Sequence, residues 1–380
     1  MSRRRFASSS WLLRVVCAFG VAGCIGLQAQ EPAVAETPEK APPQSAGALQ
    51  VEPPPKVSPP SLANQISERV HSIMERSKGA ICRIEGADDH GALRGTGFFV
   101  EADGTLLTSY SVGGESHDLV VTIGEQKFPA TRRAADERSG IAILKIEAGE
   151  PVPFLPMGNC AALSVTSPVV AMGFPLDLPL SPSFGLVAGF DLKFQGRYFA
   201  ARHMRANLVV QRGQGGSPIF SLDGDVVGIL ISTVENGSGV FALPIEAAHK
   251  SLRDLERHGR LRQGWLGADV RLTDAPAFGS SARIRGLRAD GPGFKGGLRA
   301  GDVLLRVGDR KIVNPEDVLD ASFYITADES LTVEVARAGR VQEFSVTPTD
   351  PPDGKGPAAE RYSPPIIGAN DVGLGLQADK

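Results

Sequence analysis

Along residues 61–74 the apolar positions Leu62, Ile66, Val70, Ile73 and Met74 recur at helical spacing, with Arg and Glu on the other face. That spacing predicts a helix of about four turns packed on the domain after it. From Ala80 the pattern changes to short apolar runs punctuated by Gly, Asp and Pro. The runs Ala80–Ile84, Gly97–Val100, Leu106–Thr108, Leu119–Ile123 and Ile141–Ile146 come first. Pro168–Met172, Leu208–Gln211, Ile219–Phe220, Val226–Ile231 and Gly239–Leu243 come next. Short strands at this density predict an all-β barrel or sandwich, and their number fits two small antiparallel barrels. A second region begins at Gly264. Val303–Val307 and Lys311-Ile312 read as strands around the turn Gly308-Asp309, and Leu331–Ala336 and Val341–Val346 as a hairpin about Ala338-Gly339. Between them Asn314 is placed to cap a helix opened by Pro315.

The chain of 380 residues, 42% of them hydrophobic, is long enough for two folded domains with tails. A net charge of −3, with no long basic block after the N-terminal arginines, implies neither nucleic acid nor a strongly acidic substrate. Residues 1–30 have a basic start, Arg3-Arg4-Arg5, and an apolar run from Trp11 to Leu27 broken by Arg14, the layout of an export signal. The mature chain is therefore expected outside the cytoplasm, in the periplasm or cell envelope. Ser2-Arg3-Arg4-Arg5-Phe6 resembles a twin-arginine motif. Val21-Ala22-Gly23-Cys24 resembles a lipobox, in which Cys24 would carry a membrane lipid anchor; Ala33-Val34-Ala35 is instead a plain cleavage site. Residues 31–60 read as a Pro-rich extended linker, and the last thirty or so, 350–380, as a disordered tail. Only Cys82 and Cys160 fall in the folded part; with no metal-ligand spacing around them, they read as buried apolar residues.

One stretch carries the chemistry. Gly213-Gln214-Gly215-Gly216-Ser217-Pro218, with the apolar run to Ile231 behind it, resembles the G-N-S-G-G-P nucleophile loop of trypsin-like serine proteases. Gly95-Thr96-Gly97-Phe98-Phe99-Val100, Gly104-Thr105-Leu106-Leu107-Thr108, Ile141–Ile146, Ala171-Met172-Gly173-Phe174-Pro175 and Gly185-Leu186-Val187 resemble, in order, landmarks of the HtrA/Deg family of exported proteases. Ala242-Leu243-Pro244-Ile245, leading to Arg262-Gln263-Gly264-Trp265-Leu266-Gly267, resembles that family's join between protease and PDZ domain. The resemblance implies a mostly β chain: a trypsin-like double β-barrel over residues 61–258, then a PDZ domain over 259–349. In the PDZ part Gly264, Trp265, Leu266 and Gly267 match the carboxylate-binding loop. Gly291–Leu304 matches the L-x-A-G-D region, and Val318, Leu319 and Phe323 would line the peptide groove.

Position by position, the resemblance also implies a loss. The histidine base falls on Ser111, the orienting aspartate on Gly140 and the nucleophile on Gly215. Acyl transfer needs a nucleophile, a base and a carboxylate that holds the base, and none of these three positions carries the group. Backbone amides at Gly213 and Gly215 could still form an oxyanion hole. Three readings are open: a pseudoprotease that binds peptides or unfolded segments as scaffold, holder or regulator of an active relative; a working serine endopeptidase rebuilt on Ser217 with His117 and Asp136; or barrels serving only as an assembly module. A homo-oligomer is implied, a trimer if the resemblance extends to quaternary structure. No cofactor or metal is indicated.

Overall fold

The computed structural model describes residues 61–352 apart from 235, 236 and 238. The export signal with Cys24, the 31–60 linker and nearly all of the 350–380 tail lie outside the described residues. The chain opens with α1 (Leu62–Ser77), capped by the Ser61 hydroxyl, which accepts from the Asn64 amide at 3.2 Å. Its apolar stripe drives Ile73, 1% exposed, into the main core, a burial that stabilises by about 1.5–3 kcal/mol.

The first barrel is β1 (Ile81–Asp88), β2 (Gly91–Phe99), β3 (Thr105–Ser109), β4 (His117–Ile123), β5 (Gln126–Asp136) and β6 (Ile141–Ile146), closed in the order β1-β2-β3-β6-β5-β4. The short helix α2 (Tyr110–Gly113) comes after β3. The second barrel is β7 (Pro168–Gly173), β8 (Ser181–Phe194), β9 (Arg197–Ala206), β10 (Pro218–Ser221), β11 (Val226–Thr233) and β12 (Val240–Pro244), closed as β10-β11-β12-β9-β8-β7. Each barrel has its own apolar interior, around Phe99 and Leu144 in the first and Val169 and Leu230 in the second. The main core lies where they meet and includes Phe98, Leu107 and Ile143 against Met172, Phe220 and Ile231.

Three barrel strands are absent from the runs read in the sequence. β5 alternates half-buried and exposed positions and includes Arg132 and Arg133, so its ladder to β4 and β6 defines it rather than an apolar run. β8 is punctuated by Pro182, Gly185 and Gly189, and β9 turns His203 inward. Conversely, Leu208–Gln211 is not a strand: Leu208 and Val210 alternate into the second barrel's core from a segment outside the ladder. Cys82 and Cys160 are buried and unpaired, as their spacing suggests.

After α3 (Ile245–His258) comes a six-stranded sheet of β13 (Ala268–Ala277), β14 (Ser280–Leu287), β15 (Val303–Val307), β16 (Arg310–Lys311), β17 (Leu331–Arg337) and β18 (Arg340–Val346). It carries α4 (Pro292–Lys295) and α5 (Pro315–Phe323), the latter opened by a reciprocal cap between Asn314 and Asp317. Trp265 pairs with Thr349, joining the start of this unit to its end. Phe323 does not line a groove as the helical pattern suggests: it is 5% exposed and belongs to the main core with the barrel residues. Its ring lies 5.6 Å from Lys250 Nζ of α3, because the end of α5 is packed onto the barrels.

Buried charge fastens this packing. Asp254, 1% exposed, accepts from Lys250 Nζ at 2.5 Å, the Arg262 amide at 2.9 Å and the Thr326 hydroxyl at 2.9 Å. Removing one partner strands the other in a dry site, so Asp254→Ala is expected to cost about 3–5 kcal/mol in chemical denaturation. His203 gives a second expectation. Burial pulls its pKa down to about 4 while Ala201 O sits 2.7 Å from Nδ1, so it folds neutral. The unfolded chain binds that proton near 6.5 and the native chain only near 4, so the stability it contributes is complete above about pH 6.5 and is lost as pH falls toward 4. His203→Phe is expected to flatten the pH dependence of unfolding free energy in that window, by about 3 kcal/mol.

Candidate functional site

Thr96 of the first barrel, buried and held in turn by the buried Thr108, bonds to the Gly213–Ser217 loop. Thr96 Oγ1 donates to Gly213 O at 2.8 Å and accepts from Phe174 N at 3.1 Å. The Thr96 amide donates to Gly215 O at 2.9 Å, and Thr108 Oγ1 donates to Thr96 O at 2.8 Å. From the other side, Gly216 N donates to Leu230 O and Leu230 N to Ser217 O, at 2.8 and 2.9 Å. Gly216 has φ +84°, and a Cβ there would run into Thr108 Oγ1 and Thr96 O, so the close approach of the barrels requires glycine. The Gln214 side chain accepts from the Gln211 amide at 2.7 Å and closes the loop on itself. The amides of Gly213 and Gly215 donate to no acceptor among the described residues.

Ser111 sits in α2, half-buried, with Oγ 2.9 Å from the hydroxyl of Ser109. Gly140 lies just before β6, and its carbonyl accepts from Tyr110 N at 2.6 Å, which ties it to the start of α2. Ser109 is the β-ladder partner of Ile141 and also borders Gly216. Ser111, Gly140 and the Gly213–Ser217 loop are thus gathered around Ser109 at the junction of the barrels. At Gly140 φ is +78°, a left-handed conformation that side chains resist, and an added Cβ would lie 2.5 Å from Ile231 Cγ2 of β11. The space beside Gly140 is occupied by the second barrel. Nor does the neighbouring Tyr110 supply a base: burial, and then the Glu115 carboxylate that accepts its hydroxyl at 2.9 Å, push its pKa up to about 12.

Ser217, His117 and Asp136 are not brought together. Ser217 is fully buried and its Oγ has no hydrogen-bond partner. His117 Nδ1 lies 3.0 Å from its neighbour Asp118, and Asp136 Oδ1 accepts from the Arg138 amide and side chain at 3.3 Å. Thr96, which bonds to the loop, and Thr108 behind it were not foreseen, although both stand in the glycine-marked stretches of the sequence. Ile231 carries no signal of its own, since its role arises from a contact between barrels.

In the third unit Gly264 N donates to Ile325 O at 2.7 Å, Leu266 O accepts from Gly293 N at 2.8 Å and Gly267 O accepts from Arg288 N at 3.0 Å. The amides of Leu266 and Gly267 donate to no acceptor among the described residues. Arg288 lies over the Trp265 ring at 5.6 Å. α5, with Leu319 half-buried, packs against β13 and β14 as well as β9.

Residues 95–229, spanning both barrels, match the family model described as trypsin-like peptidase domain. The two barrels have the trypsin-like double-barrel fold. The chain is 28% identical over 300 residues to a probable periplasmic serine endoprotease, DegP-like, of Ectopseudomonas mendocina (strain ymp), covering 76% of this chain and 62% of that protein. It is 29% identical over 265 residues to the protein of the same name from Pseudomonas fluorescens, covering 67% and 55%. The chain therefore spans less than two thirds of the length of these relatives. Among solved structures it resembles the HtrA-type protease AlgW with a tripeptide, with TM-score 0.61 at 20% identity over 78% of this chain and 99% of that one. It also resembles a serine endoprotease from Yersinia pestis, with TM-score 0.53 at 20% identity over 77% and 100%. The double barrel read in the sequence is thus borne out.

The glycine at position 140 can be weighed directly. Gly140→Ala is expected to destabilise by at least about 2 kcal/mol, from the left-handed backbone and the overlap with Ile231. In an Ile231→Ala background the same substitution should cost less, as a double-mutant cycle by urea denaturation would register.

Proposed function

We propose that this chain is an exported, catalytically inactive HtrA-like protein that binds peptides or unfolded segments, acting as a scaffold, holder or regulator of an active relative. The observation that carries the proposal is Gly140: its backbone conformation and the presence of Ile231 leave no place for the carboxylate that the resemblance assigns there. Ser111 and Gly215 extend the argument, since one bonds to Ser109 and the other has no side chain. In a well-studied protease, loss of the triad costs about 10⁶ in turnover, and the oxyanion hole alone leaves only a small residual rate. On this reading the Gly213 and Gly215 amides can hold a peptide carbonyl without cleaving beside it.

Residues 259–349 are, in the same proposal, a PDZ domain. The free amides of Leu266 and Gly267 are suited to a peptide carboxylate, and β13 to pairing with the peptide beside α5 and Leu319. Phe323 supports the helix from behind. An exported, periplasmic location is supported by the periplasmic designation of the relatives. A homo-oligomer, trimeric if the family's assembly carries over, belongs to the proposal as well.

The test is cleavage of a fluorescently labelled unfolded protein by the exported chain and by its Ser217→Ala variant, alongside binding of a C-terminal peptide library. No turnover by either, with binding that Leu266→Asp abolishes in a protein still folded by circular dichroism, is the expected result. Turnover that disappears in Ser217→Ala would overturn the inactive reading; failure to bind any peptide would overturn the binding one.

A further inference from the structure

A cavity of about 290 Å³ opens where the second barrel meets the third unit. Leu163, Phe190 and Pro244 give it apolar walls on the barrel side, with the buried Cys160 among them, and Tyr324 faces them from the third unit. Three charged side chains reach it: Arg202, Arg310 and Glu246.

The two arginines already have partners. Arg202 pairs with Asp317 at 2.5 Å and donates to Phe190 O at 3.3 Å. Arg310 pairs with Asp320 at 3.4 Å and lies over Tyr324, 3.6 Å from the ring centroid. Both aspartates are fixed in turn, Asp317 by the cap of α5 and Asp320 by accepting from the Arg202 amide at 2.7 Å. Glu246, in the first turn of α3, differs. Its Oε1 accepts from the Ala161 amide at 3.0 Å, which holds the side chain in place, while its Oε2 is buried with no hydrogen-bond partner. Each arginine lining the cavity is thus matched by an aspartate behind it, which leaves the Glu246 carboxylate as the lining charge without a paired cation among the described residues, with an oriented oxygen facing no donor.

A buried carboxylate oxygen without a donor is costly, and a ligand that brings a charged donor removes that cost. The apolar walls favour a compact hydrocarbon body, and the volume is at the small end for ligand pockets. An anion would meet Glu246 with the arginines already engaged, and a neutral apolar molecule would leave Oε2 unpaired. We propose that this cavity binds a primary ammonium on a compact apolar stem, the ammonium donating to Glu246 Oε2 and the stem lying between Phe190, Leu163 and Tyr324. A free amine and a lysine side chain share this chemistry. The site is independent of the peptidase-like junction and of the Leu266–Gly267 loop.

Isothermal titration of the exported chain with benzylamine, benzyl alcohol, benzoate and the blocked peptide acetyl-Gly-Lys-Gly-amide tests it. Benzylamine is expected to bind at least about tenfold more tightly than the alcohol or the acid, and Glu246→Gln to weaken it by about tenfold or more. Leu163→Trp, which fills the cavity from its apolar side, should abolish binding in a protein with unchanged circular dichroism. If Glu246→Gln does not fold, Leu163→Trp and the alcohol comparison on the unaltered chain still decide. Displacement of benzylamine by the lysine peptide would assign the site to a protein side chain, and its failure would assign it to a free amine. No benzylamine binding, binding unchanged by both variants, or tighter binding of benzoate would overturn the proposal.

Discussion

Thr96, itself held by Thr108, brings the first barrel into hydrogen-bonding contact with the backbone of the Gly213–Ser217 loop, and the rest of the junction depends on that approach. Both threonines are fully buried, so their hydroxyls must find partners or carry a desolvation cost. The partners available are the Gly213 and Thr96 carbonyls, and the bond from Thr108 to Thr96 O needs a glycine at 216, where a side chain would run into both atoms. The loop geometry is thereby fixed by backbone bonds, by Thr96 and by the Gln214 side chain. It needs no side chain at position 215.

On the proposed inactive reading, that separation lets the fold stand without the chemistry. Barrel closure rests on ladders and on apolar residues such as Phe98, Met172 and Phe220, none of which takes part in proton transfer. A serine, a histidine and an aspartate, by contrast, would contribute to turnover and little to packing, so a junction without them keeps its core. At Gly140 the proposal rests on more than a missing group. Ile231, 3% exposed, fills the space beside the position, and a carboxylate there would have to displace it. Within the proposal of an inactive protein, the junction has been repacked toward stability.

The double barrel was legible because its strands are short, apolar and bounded by Gly, Pro and Asp, and because the glycine landmarks mark close approaches that only glycine permits. Strands stabilised by their neighbours were not: β5 carries Arg132 and Arg133, and β9 hides a histidine, so hydrogen bonds to adjacent strands outweigh weak local patterns. Leu208–Gln211 failed in the opposite sense, since alternation reports which side chains are buried and not whether the backbone joins a ladder. The assignment of Ser111, Gly140 and Gly215 to the triad positions comes from motif resemblance alone. What occupies the space beside them could not be read from motif, because Ile231 lies more than ninety residues from Gly140 in the chain. Phe323 shows the same limit: one apolar position on a helix can face its own sheet or a neighbouring domain, and the helical period is identical in both cases.

The destination of Phe323 changes what α5 can do. One side of the helix packs on β9 and the barrel core, the other on β13 and β14, and Asp254 with Lys250 and Thr326 anchors the chain just beyond it. A helix held on both sides by apolar contact and a dry ion pair has little freedom to shift when something settles along β13. For a peptide bound there as proposed, the ordering entropy of the groove is already spent before the ligand arrives, which favours affinity over induced closure. On the same proposal, Asp254 supports the groove from α3 through Lys250, Arg262 and Thr326 without lining it.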